Sequence, residues 1–243
     1  MREREPAAPV PIEPEGYEAE FARIEAAVDA GQTDLRSLGF WRLLAKVKAD
    51  PALSAHWAGQ AGGIDRTAFE ARVRVRVPVW FGNALLLGGA TLGVVAVVIA
   101  LRTESETLAG LALVFAALDW SATLHSPTHW LVGRLVGIRF VCYFVARVVP
   151  PIPGLKTDYA SYLRTPPGAR AWMHASGAVA SKLAPVAAWA FWPASVAPTW
   201  AAWFIVGYWA LIIATDVFIS TRRSDWKRVR RELRVARRQA AAV

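Results

Sequence analysis

The chain has a single cysteine, Cys142, among 243 residues, so no internal disulfide can staple the fold and nothing indicates an oxidised extracellular protein. Histidine is scarce too, with four in all, and glutamate is missing between Glu106 and Glu232. The opening stretch MREREPAAPVPIEPEGYE has no apolar core. A cleaved secretory signal is therefore not expected, and membrane insertion must use internal segments. What is abundant is apolar. Hydrophobic residues make up 55% of the chain and concentrate after residue 78, which points to a membrane protein. The 12 tryptophans agree, since indole rings favour bilayer interfaces.

The formal charge of +9 would suggest nucleic acid in a soluble protein. Its placement argues otherwise. Arg72, Arg74 and Arg76 precede the first apolar run, and nine Lys/Arg between Arg222 and Arg238 follow the last. That is the pattern of the positive-inside rule, so membrane lipid is the expected partner and nucleic acid is not.

Residues 1–15, with four prolines and alternating charges, read as a disordered leader. A small cytosolic helical region spans 16–77. Tyr17, Phe21, Ile24 and Val28 recur at helical spacing until Gly31. A second helix is expected after Asp34, with Leu35, Leu38, Trp41, Leu44 and Val47 on one side, stopping before Pro51. A third piece, RTAFEARVRVRV, leads to the membrane, and its Arg/Val alternation fits a strand equally well.

Residues 78–221 form the membrane domain, expected to be mainly α with four spans. The stretch 79–101 has 23 residues and no charge, enough to cross a bilayer. Gly89 and Gly93 make a small-xxx-small pair that suits close packing and allows a homodimer. A second run extends from Leu108 to about Val136, interrupted by Asp119 and two histidines. Residues 137–170 are proline-rich and mixed, a strand or two plus loop, which needs cover from the rest of the protein. The third span runs from Trp172 to about Trp192 and the fourth from Trp200 to Ser220. With both termini in the cytosol, the outer loops hold only Arg102. Trp189, Trp192, Trp200 and Trp203 then form an outer aromatic belt, with Trp130, Trp172 and Trp226 towards the inner one. A basic cytosolic tail, 222–243, completes the chain.

His125 and His129 lie one helical turn apart, so they share a face and can chelate one ion. On this topology Asp216 and His174 fall at a similar depth, and polar groups are costly inside a bilayer. Each also has a plain reading: His129 as an interfacial hydrogen-bonding group, His174 as interfacial, Asp216 as an ion-pair partner. Asp119 lies six positions before His125, about 240° around the helix and off that face. It is expected to pair with another helix, with Lys182 of the third span as the candidate partner, and the alternative is that Lys182 snorkels. Pro127 cannot donate a backbone bond to Thr123, which predicts a kink between the two histidines.

The sequence HSPTHWLVGRLVGIRF (125–140) resembles the site-2 protease family of intramembrane zinc metalloproteases. That family carries HExxH followed by an Arg-x-x-Gly spacing, matched here by His125, His129, Arg134 and Gly137. ASGAVASKLAP (175–185) echoes the family's AGPxxN-like motif. ATDVFIS puts Asp216 where the family's LDGG aspartate stands. The resemblance covers about residues 80–221. It implies a zinc ion held by His125, His129 and Asp216, the last as third ligand. It also marks a departure: Ser126 occupies the position of the glutamate that serves those enzymes as general base. A serine hydroxyl cannot accept a proton at neutral pH without a base of its own.

The leading expectation is an integral membrane metalloprotein of this architecture, in a bacterial or archaeal plasma membrane. It binds a membrane helix of another protein or a lipid without cutting it. The alternative is an active divergent zinc metallopeptidase that uses zinc-bound hydroxide directly or borrows a base such as Asp158. Further alternatives are a haem- or ion-binding, transporter-like module and a purely structural membrane anchor.

Overall fold

A computed structural model describes residues 14–147, 152–218 and 224–241. The expected leader lies almost entirely outside them. The amino-terminal region is three helices around one apolar core. Helix α1 (Pro14–Asp29) buries Tyr17, Phe21, Ile24 and Val28, the four positions its spacing singles out. The second helix starts later than expected. Asp34 accepts from the Arg36 amide and caps only a turn, and Gly39, at φ +81°, resets the chain before α2 (Phe40–Val47). That reset rotates the buried face to Phe40, Leu43, Leu44 and Val47, and Trp41 points outward. Helix α3 (Pro51–Arg72) is longer than the RTAFEAR piece alone. Asp50 caps it, accepting from Ala52 N at 2.7 Å and Leu53 N at 3.2 Å, and Pro51 fits its first turn. Its glycines do not break it, because they allow a close neighbour: a Cβ at Gly62 would stand 2.7 Å from that of Ala160.

Helix α4 (Val79–Arg102) and α9 (Thr199–Phe218) are long and apolar enough to cross a membrane. Helices α5 (Glu106–Thr123) and α6 (His125–Leu135) make a third candidate, bent by 43° at their junction. The expected kink is therefore real but displaced. It falls at Leu124, before both histidines, and leaves Pro127 in the first turn of α6, where its missing N–H forfeits no intrahelical bond. The expected third span corresponds to α8 (Pro167–Trp189), which does not reach the hydropathy of the others because it carries Arg170, His174 and Lys182.

The apolar helices are built inside-out. Small residues face one another: Ala96, Val97 and Ala100 pack with Ala109, Ala112, Leu113, Ala116 and Ala117. Large ones, such as Leu85, Leu92, Trp203, Phe204 and Leu211, stay exposed. In water that arrangement would be penalised, and in lipid it is the stable one, so the helices suit an integral membrane protein. Gly93 accepts the Trp120 side chain of α5, whose indole donates to Ala90 O at 3.0 Å, and Gly89 faces Thr123. The Gly89/Gly93 face is thus used within the chain.

Between α6 and α8 the chain makes two expected strands, β2 (Phe140–Arg147) and β3 (Ile152–Thr157). With β1 (Arg76–Val77), in the Arg/Val stretch just before α4, they form an antiparallel sheet in the order β1-β2-β3. Tyr143 pairs with Val77 and Leu155, and its hydroxyl donates to Asn83 Oδ1 of α4 at 2.8 Å, fixing the sheet to that helix. The short α7 (Tyr159–Arg164) then leads into α8. The basic tail folds as α10 (Asp225–Ala240), capped by Ser224, and packs along α8.

Candidate metal centre

Residue by residue, the centre is assembled from three elements. Helix α6 supplies His125 and His129 from one face, one turn apart. Helix α8 lies against that face. A Cβ at Gly177 would overlap the His129 ring and stand 2.7 Å from the His125 carbonyl, so this close approach requires glycine. Helix α10 supplies Asp225 from its first turn.

His125 Nε2 and His129 Nε2 are 3.2 Å apart, and Asp225 Oδ2 lies 3.3 Å from each. Ligand atoms of all three residues fall within 4.8 Å of one another, and this is the one such group of His, Cys, Asp or Glu among the described residues. His129 is mostly buried and His125 about one-third exposed, so one side of the cluster stays open.

The tautomers follow from the opposite edges of the rings. His129 Nδ1 lies 2.6 Å from Met173 O, which can only accept, so the proton is on Nδ1. His125 Nδ1 lies 2.8 Å from Ser181 Oγ. The Ser181 hydroxyl spends its proton on Gly177 O at 3.1 Å, so it accepts from His125 Nδ1–H. Both Nε2 atoms then turn lone pairs towards each other and towards a carboxylate oxygen. Three lone pairs cannot share that space unless a proton or a cation stands among them. Burial pushes the Asp225 carboxyl up, yet its hydrogen bonds to the two imidazoles and their charge pull it further, well below the usual carboxylate range. That balance describes the proton-filled cluster.

The remaining candidates lie elsewhere. Asp216 does not join the pair of histidines. Its Oδ2 accepts from Trp226 Nε1 at 3.0 Å and is ion-paired to Lys182. The expected Asp119–Lys182 pair is therefore corrected: Lys182 leans towards α9, and Asp119 packs on the α4 side, with its Oδ2 buried beside Gly93. His174 is buried, and its Nε2 meets the Tyr162 hydroxyl at 2.9 Å. Asp158, the borrowed base of the peptidase alternative, is held by Arg139 Nε at 3.2 Å. Ser126 is buried in the first turn of α6, between the histidines in sequence. The segment 175–185 does touch the centre, through Gly177 and Ser181.

Asp225 is the residue that sequence reasoning missed, because the tail reads as uniformly basic. A signal was present. Asp225 and Glu232 are the only acids after residue 216, and seven residues apart they share a helix face. Glu232 is buried as well. It accepts from Lys48 Nζ at 2.8 Å and from Tyr162 OH at 2.9 Å, and Arg170 Nε stands 2.8 Å away. Gln239 Nε2 donates to Lys48 O at 2.9 Å. The acidic face of α10 is thus its docking face, and docking brings Asp225 to the histidines.

Comparison with protein-family models, with curated proteins and with solved structures gives no match.

Proposed function

We propose that this protein is an integral membrane metalloprotein that holds zinc on His125, His129 and Asp225, and uses the site to bind rather than to cleave. The observation that carries the reading is the convergence of three lone pairs. Zinc bonds to nitrogen and oxygen of about 2.0 Å set tetrahedral edges of about 3.3 Å, and the three separations here are 3.2, 3.3 and 3.3 Å. Two imidazoles and one carboxylate favour zinc over magnesium or calcium, which take oxygen. The hydrogen bonds that His129 Nδ1–H and His125 Nδ1–H donate to Met173 O and Ser181 Oγ are of the kind that orient metal-bound histidines.

Asp225 thus takes the place that the site-2 protease resemblance gives to Asp216. Zinc held here would supply Lewis acidity on the open side of the cluster. The chain's own residues supply less of what peptide hydrolysis needs. Ser126 stands where a general base is wanted, Asp225 is engaged with both histidines, and Asp158 is tied to Arg139. This favours binding over cleavage, and in a membrane the molecules at hand are lipids and other membrane helices. The distribution of positive charge supports four crossings, with α8 as the third, and both termini in the cytosol of a bacterial or archaeal cell. Although α8 is the least apolar of the four, its charged groups are partnered: Arg170 with Glu232, Lys182 with Asp216.

Metal content of the detergent-purified chain tests the reading. We expect about one zinc per chain by mass spectrometry, lost in His125→Ala, His129→Ala and Asp225→Ala and retained in Asp216→Ala. Absence of zinc from the wild-type protein after zinc is supplied would overturn the metal reading. Loss in Asp216→Ala with retention in Asp225→Ala would overturn the ligand set.

A further inference from the structure

Beside the metal centre, on the far side of α8, lies a cavity of about 460 Å³ between α8, α9 and the start of α10. Its wall is apolar, made of Val179 and Leu183 from α8 and Ile213 and Val217 from α9. Leu183 and Val217 remain largely exposed, so the wall faces outward at the level of the apolar helices. Its rim is cationic. Among the described residues that line it are the cations Lys182, Lys227 and Arg230 and one carboxylate, Asp216, which is ion-paired to Lys182. Two of the three cations, Lys227 and Arg230, belong to α10, where the apolar wall stops.

We infer that this cavity binds a phospholipid, with an acyl chain on the Val179–Leu183–Ile213–Val217 wall and an anionic phosphate headgroup on Lys227 and Arg230. The amphipathic layout selects the occupant. A soluble anion would gain nothing from the apolar wall, and a neutral membrane helix would gain nothing from the two rim cations. The volume lies in the range of small-molecule pockets, about 300 to 1,000 Å³, which is room for part of a lipid rather than the whole of it. Position agrees too, because basic pockets between membrane helices on the cytosolic side recognise anionic headgroups. The inference rests on the membrane placement of the helices and is independent of zinc.

Native mass spectrometry of the full chain in detergent tests it, with phosphatidylglycerol, phosphatidylcholine and inorganic phosphate titrated separately. We expect one phosphatidylglycerol retained per chain, preferred over phosphatidylcholine by about tenfold or more, as befits two basic residues at a headgroup. Lys227→Gln with Arg230→Gln should abolish the preference. Arg234→Gln with Arg237→Gln removes equal charge from α10 outside the cavity and should preserve it. Leu183→Trp, which fills the wall, should weaken both lipids. Equal retention of the two lipids would overturn the inference, as would equal loss in both charge pairs, or inorganic phosphate binding as tightly as the lipid. A chain that washes off membranes in alkaline carbonate would overturn the membrane placement itself, and the lipid site with it.

Discussion

Replacing Gly177 by alanine puts the proposed centre under a sharp test, because one methyl group is aimed at one ligand. The new Cβ would stand 2.6 Å from His129 Cδ2 and 2.7 Å from the His125 carbonyl oxygen, against an ordinary contact of 3.4–4 Å. Something must give by at least about 0.8 Å, since His129 Nε2 lies nearer still. The His129 ring cannot swing aside freely, since its Nδ1–H is tied to Met173 O at 2.6 Å, on the same helix as the substitution. If α8 retreats instead, Ser181 moves with it and pulls on His125 Nδ1. Either route displaces a ligand by several times the tolerance of about 0.2 Å on metal–ligand distances. Zinc affinity should therefore fall at least about 10- to 100-fold, the range seen when the partners that orient ligands are disturbed. Overpacking should cost the fold about 1–3 kcal/mol, leaving the chain assembled. The assay is a competition titration against a chelating dye, with a thermal melt of the zinc-free protein alongside. Gly168→Ala, in the first turn of the same helix with open space around it, serves as control. A Gly177→Ala protein that binds zinc within about twofold of wild type would refute the reasoning, because the α6–α8 contact would then not set the ligand geometry.

Docking of α10 should depend on pH through Glu232. Burial pushes its carboxyl up, but Lys48, Arg170 and the Tyr162 hydroxyl outweigh that and hold it below the usual value of 4.5. A depressed carboxylate contributes stability that is full above its unfolded pKa and is lost as pH falls through the folded one. Protection of the α10 amides against hydrogen exchange, taken relative to the intrinsic rate at each pH, should accordingly be high at neutral pH and fall below about pH 4, and Glu232→Gln should lower it at pH 7; protection unchanged by either would count against the network. The Lys182–Asp216 pair should behave as a unit: Lys182→Met alone leaves a carboxylate unpaired beside apolar side chains and should lower thermal stability more than Lys182→Met with Asp216→Leu. A double variant less stable than the single one would show that Asp216 has another partner of greater weight.

Some features were legible because they rest on local pattern. The Tyr17–Val28 stripe, the uncharged run 79–101 and the strands after Gly137 depend on periodicity and turn residues, and each appears where the pattern puts it. The two histidines share a face because four residues make about one turn. What was not legible depends on where a helix starts. Gly39 delays α2 and rotates Trp41 out of the core, a change of phase that the apolar spacing cannot report. The break at Leu124 converts Pro127 from a kink inside a helix into a first-turn residue. Asp119 and Lys182 sit on helices whose rotation about their own axes no sequence spacing fixes, so the partner of Lys182 could not be read off.

The placement of Asp225 has a physical logic that reaches beyond the ligand set. An acid at the start of a helix is favoured by the unpaired amides there, and Asp225 occupies the first turn of α10 behind the Ser224 cap. Brought against two imidazole lone pairs, the same carboxylate would be repelled unless a positive charge stood among the three. The centre therefore favours whatever fills it, and filling it favours the docked helix. Glu232, seven residues on, fixes the other end of that helix in a buried cluster with Lys48 of the amino-terminal region and Arg170 of α8. Occupancy of the histidine site, docking of α10 and packing of the amino-terminal helices are linked through one rigid element about two turns long between its two acids. Zinc bound at the proposed centre should be felt at Lys48, and Lys48→Met should lower the zinc affinity read in the same competition titration.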